Sequence, residues 1–262
     1  MKALEIAEAM WNGPGPTDLA AHRLPSTQVL AGEELEVVLD DGSALALALD
    51  AETLAWSLTA DGEKSGGGEC VYDAVEIRPG LFFLDFVAAG AGRAVTIVLD
   101  RGRGRALTFV TDIIDPDAEP GLRQEVRTGR VAGAEAEYEP IAETRELLGR
   151  RLYCEYSPGV AIEHIHLNSH TIGWQWLKTP IAELTNDAGI ESAVMWKIAD
   201  ELFLLRSKGH LPVTLILLLD LDQCRSVGRL FGTGNFGPVD DRCGATITLL
   251  GRMEYPDGYE PV

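Results

Sequence analysis

The sequence predicts an all-β protein of two tandem antiparallel β-barrel domains, and three observations lead there. The second half repeats the first, each half is a run of short strands broken by turn residues, and helical periodicity is confined to the N-terminus. Thr27, Leu30, Gly32, Leu35 and Gly42 recur as Thr144, Leu147, Gly149, Leu152 and Gly159 at a constant offset of 117. Asp50, Thr53 and Trp56 recur as Asn168, Thr171 and Trp174 at 118, and Asp100 and Arg105 as Asp220 and Arg225 at 120. Between them, Val75, Ile77 and Phe82 line up with Val194, Ile198 and Phe203. Landmarks kept in one order with a slowly drifting offset indicate duplication of a single β-rich unit.

Taken in order, the elements are these. Leu4, Ala7, Met10 and Trp11 fall on one helical face, so a short N-terminal helix is expected within a lead-in of residues 1–26. Residues 27–112 form the first barrel domain, with its first hairpin turned at Asp40-Asp41-Gly42 and a later one at Arg78-Pro79-Gly80. A strand is read from Val71 to Ile77 in this copy, and its counterpart from Ala193 to Ile198. Residues 113–143 are polar and rich in Asp, Glu, Gly and Pro, which reads as a linker. Residues 144–262 form the second barrel domain, with a short turn around Thr179 to Thr185.

Composition narrows the function. A net charge of −19, with no basic cluster longer than Arg101-Gly-Arg-Gly-Arg105, excludes nucleic acid and anionic membrane as partners, because both need a basic surface. The longest apolar run, Leu211 to Leu221, contains Pro212 and is too short to span a bilayer. Met1 to Trp11 carries Glu5 and Glu8 and no long apolar run, so no export signal is expected. Cys70, Cys154, Cys224 and Cys243 form no CxxC pair; free thiols and a cytoplasmic location follow.

The two copies differ most in one strand. Leu45-Ala-Leu-Ala-Leu49 of the first copy becomes Ile162-Glu-His-Ile-His166 in the second, ending at Asn168. Alternation sends His164 and His166 to the face occupied by Leu47 and Leu49, and Glu163 to the other. On the preceding strand Cys154 and Tyr156 take the places of Val37 and Leu39, so a thiol and a phenol share the interior with two imidazoles. Polar groups there are destabilising unless hydrogen-bonded or facing a cavity, and a ligand pocket accounts for them. Trp174 and Trp176, with Trp196, are the candidate walls, and Tyr153 and Asn168 further candidate ligand contacts. Plain burial in the core is the alternative for the tryptophans, and backbone hydrogen bonding the alternative for the histidines.

For chemistry, His164 is the candidate acid or base and Tyr156 a proton donor or orienting phenol. Glu163 or Glu155 is then the group that holds a neighbour, although alternation turns both outward unless a bulge re-aims them. His-x-His with Cys154 also resembles part of a zinc or iron site, but spacing names no further ligand, so neither metal nor cofactor is assigned. Gly232 to Gly237 matches GxGxxG, yet it precedes Pro238 and a strand, which makes it a turn and not a dinucleotide loop. No GxSxG, Walker or SxxK pattern is present.

Several of these strings resemble the MoaF family, named molybdenum cofactor biosynthesis protein F. Leu147-Leu-Gly-Arg-Arg151, Tyr153-Cys-Glu-Tyr-Ser-Pro158, Glu163-His-Ile-His-Leu-Asn168, Arg225-Ser-Val-Gly228 and Glu254-Tyr-Pro256 resemble its C-terminal domain. Leu30-Ala-Gly32, Trp56 and Tyr72 to Phe86 resemble its N-terminal domain. The resemblance implies calycin-like or lipocalin-like barrels, related in fold to phenolic acid decarboxylases. The family pattern usually has tyrosine where His166 stands, which weakens a metal reading and suggests that His166 tunes substrate choice.

Three functions are expected candidates. The first is a lyase or isomerase using acid/base groups of the second barrel on an organic, aromatic or polyene substrate. The second is a lipocalin-like binding protein without catalysis, and the third an accessory to molybdenum cofactor biosynthesis. A small organic molecule is the expected partner in the first two. A homodimer is a further expectation, since duplicated units and dimers both pack about twofold axes.

Overall fold

The structure is a computed structural model that describes residues 18–88, 92–114, 121–209, 212–234, 237–258 and 261. In the first unit, β1 (Glu34–Leu39), β2 (Ala44–Leu49), β3 (Thr53–Ala60), β4 (Glu63–Arg78), β5 (Leu81–Ala88), β6 (Arg93–Asp100), β7 (Arg105–Ile113) and β8 (Leu122–Val131) close in sequence order into an antiparallel barrel. The second unit contains β9 (Arg150–Ser157), β10 (Val160–Asn168), β11 (Thr171–Lys178), β12 (Ala188–Ala199), β13 (Leu202–Lys208), β14 (Val213–Asp220), β15 (Arg225–Gly234), β16 (Gly237–Cys243) and β17 (Thr246–Arg252). Pairing of β14 with β15 closes this sheet as well. β16 pairs with β15, and beyond Gly244-Ala245 the chain continues as β17 against β9. The two are halves of one last strand, so both barrels have eight strands in the same order.

A 3-10 turn at Ala182–Leu184 occupies the expected turn region. The expected N-terminal helix lies outside the described residues. Among the described residues, no helix is long and apolar enough to cross a membrane.

Strand register supports the duplication residue by residue. Leu35 pairs with Leu47, and Leu47 with Trp56; in the second barrel Leu152 pairs with His164, and His164 with Trp174. Each tryptophan then faces a glycine, Gly68 and Gly189. A Cβ on Gly189 would lie 2.6 Å from Trp174 Cζ2 and 2.8 Å from Cε2, and one on Gly66 would lie 3.3 Å from the rim of the Trp56 ring. Each indole lies across the adjoining strand, where glycine leaves it room. β4 and β12 therefore begin at Glu63 and Ala188, upstream of the expected Val71 and Ala193, because these glycines are seats for an indole and not turn residues. The register also corrects one correspondence. Ala74 pairs with Leu84 as Met195 pairs with Leu205, so the counterpart of Val75 is Trp196 and not Val194.

The polar stretch expected as a linker contains β8, which pairs with both β7 and β1 and closes the first barrel. Few of its positions are apolar. Arg123, Glu125 and Arg127 share the strand face of Gly129 and Val131 but are paired with ions. Asp112 binds Arg123 at 2.8 Å and Arg93 at 2.6 Å, while Arg127 reaches Glu125 and Asp41, each at 2.7 Å. Where charges pair with charges from neighbouring strands, hydrophobic alternation disappears from the sequence although the strand remains.

The unit boundaries also differ from expectation. Residues 18–24 group with the second barrel, and 122–141 belong to the first. Asp240 and Asp241 lie in β16, where Asp240 is bound by Arg229.

Replacing Gly189 by Ala is predicted to destabilise the protein by about 1–3 kcal/mol through collision with Trp174. Replacing Gly159, whose Cβ would meet nothing within 4 Å, is predicted to be neutral or slightly stabilising. Urea unfolding followed by tryptophan fluorescence distinguishes the two.

Candidate functional site

Three adjacent strands build the site. From β9, Leu152, Cys154 and Tyr156 face the interior; from β11, Ile172, Trp174 and Trp176 do so, all within one apolar cluster that Ile162 of β10 joins. His164 and His166 alternate with Glu163 and Ile165 on β10 and are 4% and 1% exposed. At the corresponding positions the first barrel has Leu47, Leu49, Val37 and Leu39, all within its own interior cluster. The second barrel thus contains two imidazoles, a thiol and a phenol where its duplicate contains aliphatic carbon.

Few hydrogen bonds compensate. Tyr156 Oη lies 3.5 Å from His164 Nε2, a long contact, and His166 Nδ1 lies 3.2 Å from the Arg150 carbonyl oxygen. His164 Nδ1, His166 Nε2 and Trp174 Nε1 are buried and have no hydrogen-bond partner.

The ionisation states follow from the loss of water. Burial, reinforced by His166 nearby, lowers the pKa of His164 from an ordinary 6.5 to about 3. Burial lowers that of His166 to about 4, the Arg150 carbonyl partly opposing and the Arg150 charge adding to the shift. Cys154 is pushed up to about 12 by burial, and Tyr156 well above the usual phenol range by burial and the Cys154 and Cys243 thiols beside it. At neutral pH the site therefore consists of neutral imidazoles, a thiol and a phenol.

Other predicted residues stand elsewhere. Glu163 does not join His164: it faces outward, bound by Arg151 at 2.5 Å and by Gln175, and the Arg151 bond holds its pKa below the usual carboxylate value. Tyr153 is likewise outward, its hydroxyl 3.2 Å from Glu155 and its ring beneath the Lys178 ammonium. Glu155 binds Lys178 at 2.6 Å on that same outer surface. The Asn168 side chain accepts the His170 backbone N–H and shapes the β10–β11 turn. Trp196 pairs with Leu204 on a row outside the interior cluster, so it is no wall of the site. Tyr153 and Glu163 are sequence neighbours of interior residues, which a strand places on the opposite face, whereas Trp196 was expected as an aromatic of a later strand.

Two features escaped the sequence reading. Register sets Glu191 opposite Ile172 on the interior-facing row, where the first barrel has Cys70 opposite Leu54. Carrying the repeat alignment past Gly189 would have found it. The second feature is a strap formed by the lead-in segment. Leu19 packs against the interior cluster and its carbonyl accepts the Gly244 N–H at 2.9 Å, while the His22 N–H donates to the Tyr156 carbonyl at 3.0 Å. The strap crosses the break between β16 and β17, where a Cβ on Gly244 would lie 2.7 Å from Arg23 Cα. No periodicity announces so short an irregular segment.

Among the described residues, no three His, Cys, Asp or Glu side chains gather closely enough to hold a metal ion. Comparison with known families finds that the MoaF C-terminal domain matches residues 141–253 and the MoaF N-terminal domain residues 13–115. The chain belongs to the MoaF family. The MoaF C-terminal match carries the interior His164, His166 and Tyr156, whereas β8 lies outside both matches. Among solved structures, a putative beta-lactamase from Burkholderia vietnamiensis is similar over 42% of this chain and 100% of its own, at 8% identity and a TM-score of 0.35. A search of curated proteins finds no match.

The buried histidines make stability depend on pH. The unfolded chain takes up protons at each histidine below about pH 6.5, whereas the folded chain resists until about 4 for His166 and 3 for His164. This contribution to stability is complete above 6.5 and is lost as pH falls toward those values. His164→Leu with His166→Leu, which restores the residues of the first barrel, is predicted to flatten that slope. It also removes buried unpaired nitrogens, so stability at pH 7.5 should rise by about 1–3 kcal/mol per site. Urea unfolding of both proteins between about pH 5 and 8 checks both effects.

Proposed function

We propose that the second barrel binds a small organic molecule in its interior. The observation that carries this reading is the set of three buried ring nitrogens, on His164, His166 and Trp174, that lack hydrogen-bond partners. A buried polar atom left unpaired is destabilising by roughly 1–3 kcal/mol, and a ligand group that pairs with it recovers that energy. The first barrel keeps an indole, Trp56, at the Trp174 position but has Leu47 and Leu49 where His164 and His166 stand, so the imidazoles distinguish the second one. MoaF membership and the closed barrel are consistent with such a role, since an eight-stranded barrel is wide enough either to be filled by side chains or to hold one small ligand.

A proton-transferring lyase or isomerase is the second reading, favoured by the contact between Tyr156 and His164. Catalysis is most effective when the acid or base has a pKa near the working pH. At about 3, His164 is far from that condition, and a bound substrate must bring it back. Binding is therefore the reading that the geometry supports without further assumption.

Native mass spectrometry of the purified protein, joined to a thermal-shift panel of small organic molecules, tests the proposal. The expected result is a retained mass or a rise in melting temperature that His164→Leu with His166→Leu abolishes. A protein that retains nothing and is stabilised by no compound in the panel contradicts it.

A further inference from the structure

We infer that the second barrel selects a neutral ligand group that donates a hydrogen bond, of the hydroxyl, phenol or amide kind, and seats it on His166 Nε2. This inference rests on the binding role proposed above and adds the chemistry of the bound group.

The tautomer of His166 follows from its partner. A backbone carbonyl only accepts, so the Nδ1 atom 3.2 Å from the Arg150 oxygen carries the proton and donates it. In a neutral imidazole the other nitrogen then holds a lone pair and no hydrogen. Nε2 is that atom, and it is buried without a partner. What satisfies it must bring a hydrogen.

Trp174 sets the complementary demand. An indole N–H only donates, and Trp174 Nε1 is also buried without a partner, so the ligand must offer an acceptor there. His164 does not fix a direction, because Tyr156 both donates and accepts. Register pairs His164 with Trp174 and places His166 two residues further along the same face. A ligand spanning this row meets an acceptor and a donor in succession.

Charge argues against an anion. Among the described residues, the guanidinium on this row is that of Arg150, and it is held by both Glu201 oxygens, at 2.5 and 3.0 Å. A carboxylate entering the site would lose its water without gaining a free cation, and it has no hydrogen to give Nε2. An ether or hydrocarbon of the same shape fits the apolar walls but leaves Nε2 unpaired. Flat walls from Trp174 and Trp176 suit a ring bearing the polar group.

Phenol, its methyl ether anisole, and benzoate form a probe set that differs only in this chemistry. Binding to the full-length protein at pH 7.5 is measured by calorimetry and by imidazole NMR shifts. Phenol is expected to bind about tenfold or more tightly than anisole or benzoate. In His166→Leu, phenol and anisole should become equal, and Trp174→Phe should weaken phenol binding while the protein remains folded. Equal binding of phenol and anisole to the wild type, or tighter binding of benzoate, overturns the inference while leaving interior binding intact. If none of the three binds, the inference is overturned, while the binding role stands or falls on the retained mass and the thermal-shift panel.

Discussion

Closure is the constraint on which the rest of the structure depends. In a closed eight-stranded barrel every strand turns one face to an interior without bulk water, and the register decides which residues occupy it. Leu35–Leu47–Trp56–Gly68 and Leu152–His164–Trp174–Gly189 are the same cross-strand row in two copies. Because the row is the same, replacing one leucine by histidine changes the chemistry of the interior without changing the architecture. The glycine at the end of the second row is part of the same constraint, since a Cβ on Gly189 would lie 2.6 Å from the Trp174 ring.

Dryness then determines the state of the site. Burial outweighs every other influence on His164 and His166 and keeps both neutral far below their ordinary pKa. The same burial keeps Cys154 a thiol and Tyr156 a phenol. Such an interior is poor at stabilising charge and well suited to hydrogen bonding with a neutral molecule. The formal charges near β10 lie outside it, on Glu163 with Arg151 and on Glu155 with Lys178, or are paired at its edge, as Arg150 is with Glu201.

Much of this was legible in the sequence, for a physical reason. Duplication supplies an internal reference, so Leu47 and Leu49 report which way His164 and His166 point, and Val37 and Leu39 do the same for Cys154 and Tyr156. Alternation alone turned Glu163 and Glu155 outward, as the structure has them, and keeping Glu163 among the catalytic candidates ran against that rule. Illegible elements were those whose stability comes from distant partners. β8 is held by ion pairs to Asp112 and Asp41, the start of β12 by an indole on a glycine, and the strap by hydrogen bonds to Tyr156 and Gly244. None of these leaves a periodic trace. Trp196 was counted among the walls only as an aromatic of a later strand; the register matches it to Val75, which lies outside the first interior cluster.

The second barrel keeps two neutral imidazoles, one with a bare Nε2, in a dry interior. Long-range proton–nitrogen NMR of the histidine rings reads this directly. The His164 and His166 signals are expected to remain those of neutral rings down to about pH 5, with His166 protonated at Nδ1. Titration of either ring near its ordinary pKa, or a proton resident on His166 Nε2, would contradict it.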